Sequence, residues 1–308
     1  MKLYKPKFWD RSINIYSIIL YPLSLFYELL FFFKKLRSTT KFKISIICVG
    51  NIYLGGTGKT PLSILLQQEL KKIRNAVIIR KYYAEQDDEQ KLIKTKNSPL
   101  IINKRRVDAI KQAEKEGYDT AILDDGYQDF SVKKDISILC FNARQLIGNG
   151  LLLPAGPLRE SLKAIQRARV VVINGNREKV FEEKLLKKSK KVEIFYSKYV
   201  LSNAKNFKGK NFLAFAGIGN PVNFFDILQE NNITVKKSIT FPDHYKYSRK
   251  ELEDIISEAR KNDLEVLTTE KDYERIKNFN FNEIGYATVD LKIENKDKLI
   301  NLILKYLK

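Results

Sequence analysis

The sequence predicts an α/β protein whose larger part is a mostly parallel β-sheet with helices on both faces. Short apolar runs alternate with helical patterns along most of the chain, and a glycine-rich loop follows the first of these runs. A hydrophobic segment of 22 residues, Ser12–Phe33, precedes them with Glu28 as its only charge. We therefore predict an N-terminal hydrophobic helix (residues 1–40), an α/β core (41–200) and a smaller C-terminal α/β domain (201–308).

The predicted elements follow a β-α-β rhythm. In the core, the strands are Ile44–Val49, Ala76–Ile79, Thr120–Leu123, Ile136–Phe141 and Val170–Ile173, and the helices are Pro61–Lys72 and Val107–Glu116. In the smaller domain, the strands are Phe212–Ala216, Thr234–Ile239 and Leu264–Thr268, and the helices are Val222–Gln229, Arg249–Lys261 and Lys296–Leu307. Ligands are expected at the carboxyl ends of the strands.

Composition excludes several classes of protein. With 308 residues and a hydrophobic fraction of 44%, the chain is expected to fold rather than remain disordered. Cys48 and Cys140 lie far apart in apolar runs, so both are predicted to be reduced core residues. The net charge of +20 favours an anionic partner, but it is scattered along the chain. No RNA-binding signature or zinc-finger spacing accompanies it, so no nucleic acid is expected.

The N-terminal segment is predicted to associate with a membrane surface. A helix of this length is about 33 Å long, enough to cross a hydrocarbon core. Pro22 and Glu28 are unfavourable in a helix that spans the membrane, and the basic residues at both ends suit a helix that lies in the interface. Whether the helix spans the membrane or lies in its interface remains open. A signal peptide is disfavoured because no cleavage site follows. A buried core helix is the remaining alternative.

A phosphate-binding loop follows the first predicted strand. In Gly50–Pro61, the glycines allow backbone N–H groups to face phosphates, Lys59 supplies a positive charge, and Thr60 offers a hydroxyl to Mg²⁺. The core is therefore predicted to be P-loop NTPase-like, with ATP and Mg²⁺ as cofactors. The predicted nucleotide-binding residues of the loop are Asn51, Gly55, Gly56, Thr57, Gly58, Lys59 and Thr60.

Two positions of this loop depart from common patterns. Tyr53 stands where the strict P-loop motif has a glycine. Leu54 stands where P-loop ATPases that position cargo on membranes often carry a second lysine. The second departure disfavours that class of ATPase.

Two adjacent carboxylates end the predicted strand Thr120–Leu123. Asp-Asp-Gly triplets commonly form turns, but a parallel sheet would bring Asp124 and Asp125 beside the P-loop. The predicted metal-binding residues are therefore Thr60, Asp124 and Asp125.

Five segments together resemble one family. The segments GNIYLGGTGKTP, LDDGYQD, GNGLLLPAGPLRE, FPDHY and LTTEKD follow the order and approximate spacing of the tetraacyldisaccharide 4'-kinases, the lipid A 4'-kinases. The resemblance implies transfer of the ATP γ-phosphate to the 4'-hydroxyl of a tetraacyldisaccharide 1-phosphate. It also implies location at the cytoplasmic face of the bacterial inner membrane.

The resemblance implies that His244, the only histidine, is the catalytic base. A sugar hydroxyl is a poor nucleophile at neutral pH, and a histidine held by a carboxylate can take its proton. The implied partner is Asp88. The residues flanking Asp88 differ from the family's usual motif, so Asp87 remains an alternative.

The resemblance also assigns Arg159 and Glu160 to the substrate or phosphate side of the site, and Thr269 to the nucleotide. The alternatives are a solvent-exposed ion pair for the first two and a helix cap for Thr269. Asp129 and Tyr245 occupy positions where the family commonly has histidine, so the roles of those histidines are dispensable or altered here.

Two other functions remain as alternatives. One is a membrane-bound P-loop ATPase that acts on a protein partner, and the other is a nucleic-acid-dependent NTPase with steeply salt-sensitive binding.

Overall fold

The computed structural model describes residues 6–36, 38–82, 87–243 and 245–308; the side chains of residues 87–89 and 91 lie outside that description. The helices are α1 (Ile15–Lys35), α2 (Lys59–Leu70), α3 (Asp87–Thr95), α4 (Arg106–Lys115), α5 (Lys179–Lys188), α6 (Pro221–Glu230), α7 (Arg249–Lys261), α8 (Glu270–Ile276) and α9 (Lys296–Leu304). The strands are β1 (Ser45–Gly50), β2 (Ala76–Lys81), β3 (Leu100–Asn103), β4 (Thr120–Asp124), β5 (Ile136–Asn142), β6 (Val170–Asn174), β7 (Glu193–Leu201), β8 (Asn211–Ala216), β9 (Thr234–Thr240), β10 (Glu265–Thr269), β11 (Ile284–Ala287) and β12 (Val289–Ile293).

The larger sheet has eight strands in the order β12-β7-β6-β5-β1-β4-β2-β3. Strand β1 lies between β4 and β5 and is parallel to both, with Ile47 opposite Ile122 on one side and Ile136 on the other. The chain order therefore reverses at β1. In open α/β sheets, ligands bind at the carboxyl ends of the strands at such a switch point, and the P-loop begins there.

Every residue of β1, β4, β5 and β6 is buried. Parallel strands covered on both faces read as continuous apolar runs because neither face meets water. This is why these four strands were predictable from hydrophobicity. The predicted mostly parallel α/β fold is confirmed, and every strand pair of described register in both sheets is parallel.

The smaller sheet has four strands in the order β11-β10-β8-β9. Successive side chains of a strand point to opposite faces, and β8 divides its residues accordingly. Phe212 packs in a core with Phe224 of α6, and Leu213 packs in another with Leu252 of α7. Helices therefore cover both faces of this sheet.

The chain divides into two compact units. The first comprises the described residues of Met1–Tyr82, Ser98–Lys198 and Ile293–Lys308, and the second those of Tyr83–Asn97 and Tyr199–Lys292. The chain passes from the first unit to the second between Lys198 and Tyr199, close to the predicted boundary at residue 200, but each unit also includes a segment from the other side of that boundary. Helix α3 joins the second unit, where it packs on α8, and the predicted terminal helix of the smaller domain, α9, belongs to the first.

The C-terminal residues reach the first unit through polar contacts that hydrophobic patterns do not reveal. Lys296 Nζ donates to Glu69 Oε1 over 2.6 Å, and the Lys308 backbone N–H donates to Ser45 Oγ over 2.9 Å.

Elements absent from the prediction, such as β3 with four residues, are short or mixed in polarity. Such segments give no clear periodicity.

Both cysteines are free and buried. Burial raises the pKa of each thiol, which disfavours the reactive thiolate. The prediction of reduced core cysteines is confirmed.

Candidate active site

The P-loop connects β1 to α2. Gly58 precedes the first residue of α2 with a φ of 86°, a left-handed conformation that glycine adopts without steric cost. Gly50 is required by close approach, because a Cβ atom there would lie 2.5 Å from the Cβ of Tyr127. The amide of buried Asn51 donates to Thr57 Oγ1 over 2.9 Å and to Gly55 O over 3.3 Å. Asn51 therefore fixes the shape of the loop from within.

Tyr53 replaces the usual glycine because the start of this loop is anchored in the core. Its ring is fully buried, and its hydroxyl donates to Asp10 Oδ1 over 2.6 Å. Burial and the Asp10 carboxylate raise the pKa of Tyr53. The neighbouring Leu54 N–H donates to Pro157 O over 2.9 Å. The loop is thus held by the segment that carries Arg159.

Asp124 is the centre of a buried polar network at the end of β4. Its Oδ2 accepts from Thr60 Oγ1 over 3.0 Å, and its Oδ1 accepts from Ser63 Oγ over 3.2 Å. Arg80 Nη1 donates to Asp124 Oδ2 over 2.6 Å and to Thr60 Oγ1 over 3.1 Å. The P-loop threonine and the first aspartate of the pair are therefore in direct contact.

Asp125 has a left-handed backbone with a φ of 53°. Arg106 Nη2 donates to the carbonyl oxygens of both aspartates, over 3.2 Å to Asp124 and 2.7 Å to Asp125, and so supports this turn. Arg159 Nη1 donates to the two carboxylate oxygens of Asp125 over 3.0 and 3.1 Å. Burial alone would raise the pKa of Asp125, but Lys59, Arg159 and Arg106 outweigh it and hold that pKa well below its ordinary value.

This low pKa predicts how stability depends on pH. A carboxylate whose pKa is lower in the folded protein stabilises it above the ordinary pKa, and this contribution is lost progressively as the pH falls from the ordinary pKa to the folded-state pKa. We therefore expect the wild-type protein to lose more unfolding free energy than Asp125→Asn between about pH 5 and pH 3. Urea unfolding without nucleotide measures this difference. The control is Asp297→Asn, which removes an exposed carboxylate of α9 in the same unit; equal acid sensitivity of wild type and Asp125→Asn would contradict the prediction.

Glu160 is 3% exposed and well partnered. Arg167 Nη2 lies 2.8 Å from each of its oxygens, and Gln128 Nε2 donates to Oε1 over 3.2 Å. Gln128 Nε2 also donates to Asn51 O over 2.8 Å, which links Glu160 to the P-loop. The alternative of a solvent-exposed Arg159–Glu160 ion pair is wrong, because Glu160 is buried and the two residues pair with Asp125 and Arg167 instead.

Thr269, Asp87 and Asp88 lie in the second unit. Thr269 caps α8, where its Oγ1 accepts from the Asp272 N–H over 3.0 Å and donates to Asp272 Oδ2 over 2.7 Å. Asp88 lies in the first turn of α3, and the side chains of Asp87 and Asp88 are outside the described part of the structure. His244 lies outside the described residues.

Sequence reasoning missed three polar residues of this site. Ser63 lies one helical turn after Thr60, so its position on the same face of α2 was a usable signal. Arg80 and Arg106 carry less local signal. They are 4% and 6% exposed, and buried arginines require partners, but only the fold shows that both reach the Asp124–Asp125 turn.

The residues around Asp124 have the donor chemistry that suits magnesium. Magnesium prefers oxygen ligands and is usually held by one or two carboxylates together with substrate phosphates. Thr60 and the two aspartates supply such oxygens. Across the described ranges, no group of three or more His, Cys, Asp or Glu side chains is placed to hold a metal. Arg80 Nη1 donates to Thr60 Oγ1 and to Asp124 Oδ2. A magnesium ion bound to these two oxygens would therefore replace the guanidinium of Arg80.

Comparison with known proteins identifies the family. The sequence profile of the tetraacyldisaccharide-1-P 4'-kinases matches residues 16–308. The chain belongs to this family. It is 42% identical to the tetraacyldisaccharide 4'-kinase of Pelagibacter ubique (strain HTCC1062), with 99% of this chain and 98% of the relative aligned. It is 32% identical to the enzyme of the same name from Rickettsia typhi (strain ATCC VR-144 / Wilmington), with 99% of each chain aligned.

The fold also matches a solved structure of the family. The crystal structure of LpxK from Aquifex aeolicus in complex with ATP superposes with a TM-score of 0.70 at 25% sequence identity, covering 95% of this chain and 99% of that one. The resemblance inferred from the five sequence segments is confirmed, and so are the predicted fold class and the prediction of an ATP-dependent kinase.

Proposed function

We propose that this protein transfers the γ-phosphate of ATP to the 4'-hydroxyl of tetraacyldisaccharide 1-phosphate, a step of lipid A and lipopolysaccharide biosynthesis. The observation that carries the proposal is the contact of Thr60 with Asp124, next to an ion pair of Asp125 and Arg159, in a chain of this kinase family. The site thus combines a phosphate-binding loop, acidic residues for a metal and a fixed arginine. Phosphoryl transfer requires such positioning and charge neutralisation.

The nucleotide is assigned to the P-loop. Backbone N–H groups of the loop and of the first turn of α2 bind phosphate oxygens, and the Lys59 ammonium adds a positive charge. The proposed nucleotide-binding residues are Asn51, Gly55, Gly56, Thr57, Gly58, Lys59, Thr60 and Thr269. Asn51 acts through the loop, because its amide nitrogen is used by Thr57 and Gly55. The hydroxyl of Thr269 caps α8.

Thr60, Asp124 and Asp125 would hold Mg²⁺ together with the phosphates. A bound magnesium ion neutralises charge that develops on the phosphate oxygens. Arg159 contributes a second positive charge, which is aligned by the contacts of its Nη1 with both carboxylate oxygens of Asp125 and suits phosphate recognition. Glu160 orients Gln128 and Arg167 on the substrate side.

His244 is the proposed general base, with Asp88 as its partner and Asp87 as the alternative. The 4'-oxygen attacks the γ-phosphorus, the bond to the β-phosphate oxygen breaks, and His244 takes the hydroxyl proton. The products are ADP and a bis-phosphorylated lipid. This assignment is supported by the segment Phe241–Tyr245, which is one of the five that resemble the family.

Helix α1 is the proposed site of membrane association. Within the described ranges, α1 is the one helix long and apolar enough to cross a membrane, and 11% of its most apolar 18-residue stretch is buried. Its exposed side chains include Ile18, Phe26 and Phe33, each more than half exposed. Lys34 and Lys35 end the helix, which suits anionic headgroups. We assign the protein to the cytoplasmic face of the bacterial inner membrane, where ATP is available.

The test is transfer of labelled γ-phosphate from ATP to tetraacyldisaccharide 1-phosphate in vesicles that contain anionic phospholipid. A labelled bis-phosphorylated lipid is expected only with Mg²⁺ present, and chemical degradation should locate the new phosphate at the 4' position. Labelled inorganic phosphate without lipid product would instead support an ATPase that acts on a protein partner. Absence of lipid product from folded, ATP-binding protein would refute the proposed substrate.

A further inference from the structure

Helix α1 contacts the rest of the first unit through a narrow stripe whose two buried residues are serines. The least exposed residues of α1 are Ser17, Leu20, Ser24, Tyr27 and Phe31, with spacings of three, four, three and four that place them on one face. The two serines are 0% and 2% exposed, whereas large apolar side chains cover the rest of the helix surface. This is the reverse of an ordinary surface helix, which buries its apolar face. Hydrogen bonds from these serines therefore contribute to where α1 docks.

Both buried serines of α1 contact one loop, residues 149–160. Ser24 Oγ donates to Leu152 O over 2.9 Å and accepts from the Ala155 N–H over 3.1 Å. Asn149 Nδ2 donates to Ser17 Oγ over 3.2 Å. These paired contacts fix both the rotation and the axial position of α1 against the loop.

The 149–160 loop also contacts the P-loop and ends in the proposed substrate residues. The Arg159 N–H donates to Ile52 O over 2.7 Å, and Tyr27 Oη donates to Arg159 O over 3.1 Å. The backbone of Arg159 is therefore held on one side by the start of the P-loop and on the other by α1. Its guanidinium then meets Asp125.

The C-terminal end of α1 adds two contacts near the same site. Lys35 Nζ lies 3.6 Å from Glu160 Oε2, and the ring of Phe31 packs edge-on against Phe130 with centroids 5.7 Å apart. The helix thus contacts both Arg159 and Glu160. None of these contacts is needed for a helix that serves only as an anchor.

We infer that Tyr27 is a positioning residue for phosphoryl transfer, and that α1 couples its seating in the membrane to the placement of Arg159. This inference rests on the proposed function. A membrane fixes the depth and tilt of α1, and the hydrogen bonds from Ser24 and Tyr27 transmit that placement to the loop. Small errors in the placement of a charged group are costly in catalysis, because its stabilising effect depends on geometry set before the reaction.

The test variant is Tyr27→Phe, which removes the hydroxyl and keeps the ring. Loss of one hydrogen bond is expected to lower kcat about threefold to tenfold. Vesicle binding and ATP affinity should stay unchanged, because the apolar surface of α1 and the P-loop remain intact. The matched control is Tyr21→Phe, the same substitution at a 46% exposed position of the same helix, and it should retain the wild-type kcat.

Steady-state kinetics for the lipid substrate give kcat and KM separately, and flotation with vesicles measures membrane binding. The ratio of kcat in vesicles to kcat in detergent should fall in Tyr27→Phe and in Ser24→Ala relative to wild type. A merely structural role would instead lower ATP affinity and the thermal unfolding midpoint without changing that ratio.

Two results would overturn the inference while leaving the proposed function intact. One is that the wild type is active and that Tyr27→Phe has the wild-type kcat and the wild-type ratio of kcat in vesicles to kcat in detergent. The other is that Tyr21→Phe changes these two quantities as much as Tyr27→Phe does. Failure of the wild type itself to phosphorylate the lipid would refute the proposed function instead.

Discussion

Replacement of His244 by alanine is expected to lower kcat for lipid phosphorylation by about 10²–10⁴-fold, the range typical of general acid-base catalysis. The sugar hydroxyl would lose the group that takes its proton, whereas the P-loop is unchanged. ATP affinity, measured by equilibrium binding, should therefore remain close to wild type. Full transfer activity in the variant would remove His244 as the base.

The pH dependence of the reaction provides an independent measurement. His244 is the only histidine of the chain, and a general base can accept a proton only in its deprotonated form. The limb of the kcat/KM profile that rises with pH as the base loses its proton should therefore disappear in His244→Ala. Separate Asp87→Asn and Asp88→Asn variants distinguish the two candidate partners. Replacement of the aspartate that pairs with His244 should shift the pH at which that limb occurs, and replacement of the other aspartate should leave it unchanged.

Replacement of Lys59 by alanine is expected to lower kcat by about 10²–10³-fold, comparable to the loss of one group that stabilises transition-state charge. Lys59 begins α2, where it adds a full charge to the partial positive charge of the helix N-terminus. ATP affinity should fall as well, because the same ammonium binds the ground-state phosphates. This joint effect distinguishes Lys59→Ala from His244→Ala.

The matched control for Lys59 is Lys71→Ala, at the exposed C-terminal end of the same helix. Both variants lose one positive charge, but only Lys59 lies in the P-loop. Lys59 is also the strongest of the charges that lower the pKa of Asp125, so Lys59→Ala should reduce the loss of stability on acidification. Equal kinetics in the two lysine variants would contradict the assignment of Lys59 to the phosphates.

The P-loop was predictable because its function depends on local backbone conformation. Glycines, a lysine and a threonine at fixed spacing between a strand and a helix are sufficient to indicate phosphate binding. The same holds for β1 and β4, whose burial on both faces produces continuous apolar runs. The Asp124–Asp125 turn was predictable for a related reason, since it ends a buried strand adjacent to β1.

The partners of those residues were not predictable, because they are distant in sequence. Arg80 and Arg106 lie 44 and 18 residues from Asp124 and meet it only when β2, β4 and α4 assemble. The composition of the two compact units was not predictable for a similar reason. Linear boundaries cannot represent a C-terminal helix that returns to the first unit through Lys296 and Glu69.

The sequence by itself determined the α/β class, the phosphate-binding loop, the paired aspartates and an apolar N-terminal helix, because each depends on neighbouring residues. Only the tertiary structure decided what Tyr53, Arg80 and Tyr27 contact. Their partners come from other segments, so their roles depend on how strands and helices pack. In particular, the role proposed for α1 depends on the contacts of Ser24 and Tyr27 with the loop that carries Arg159.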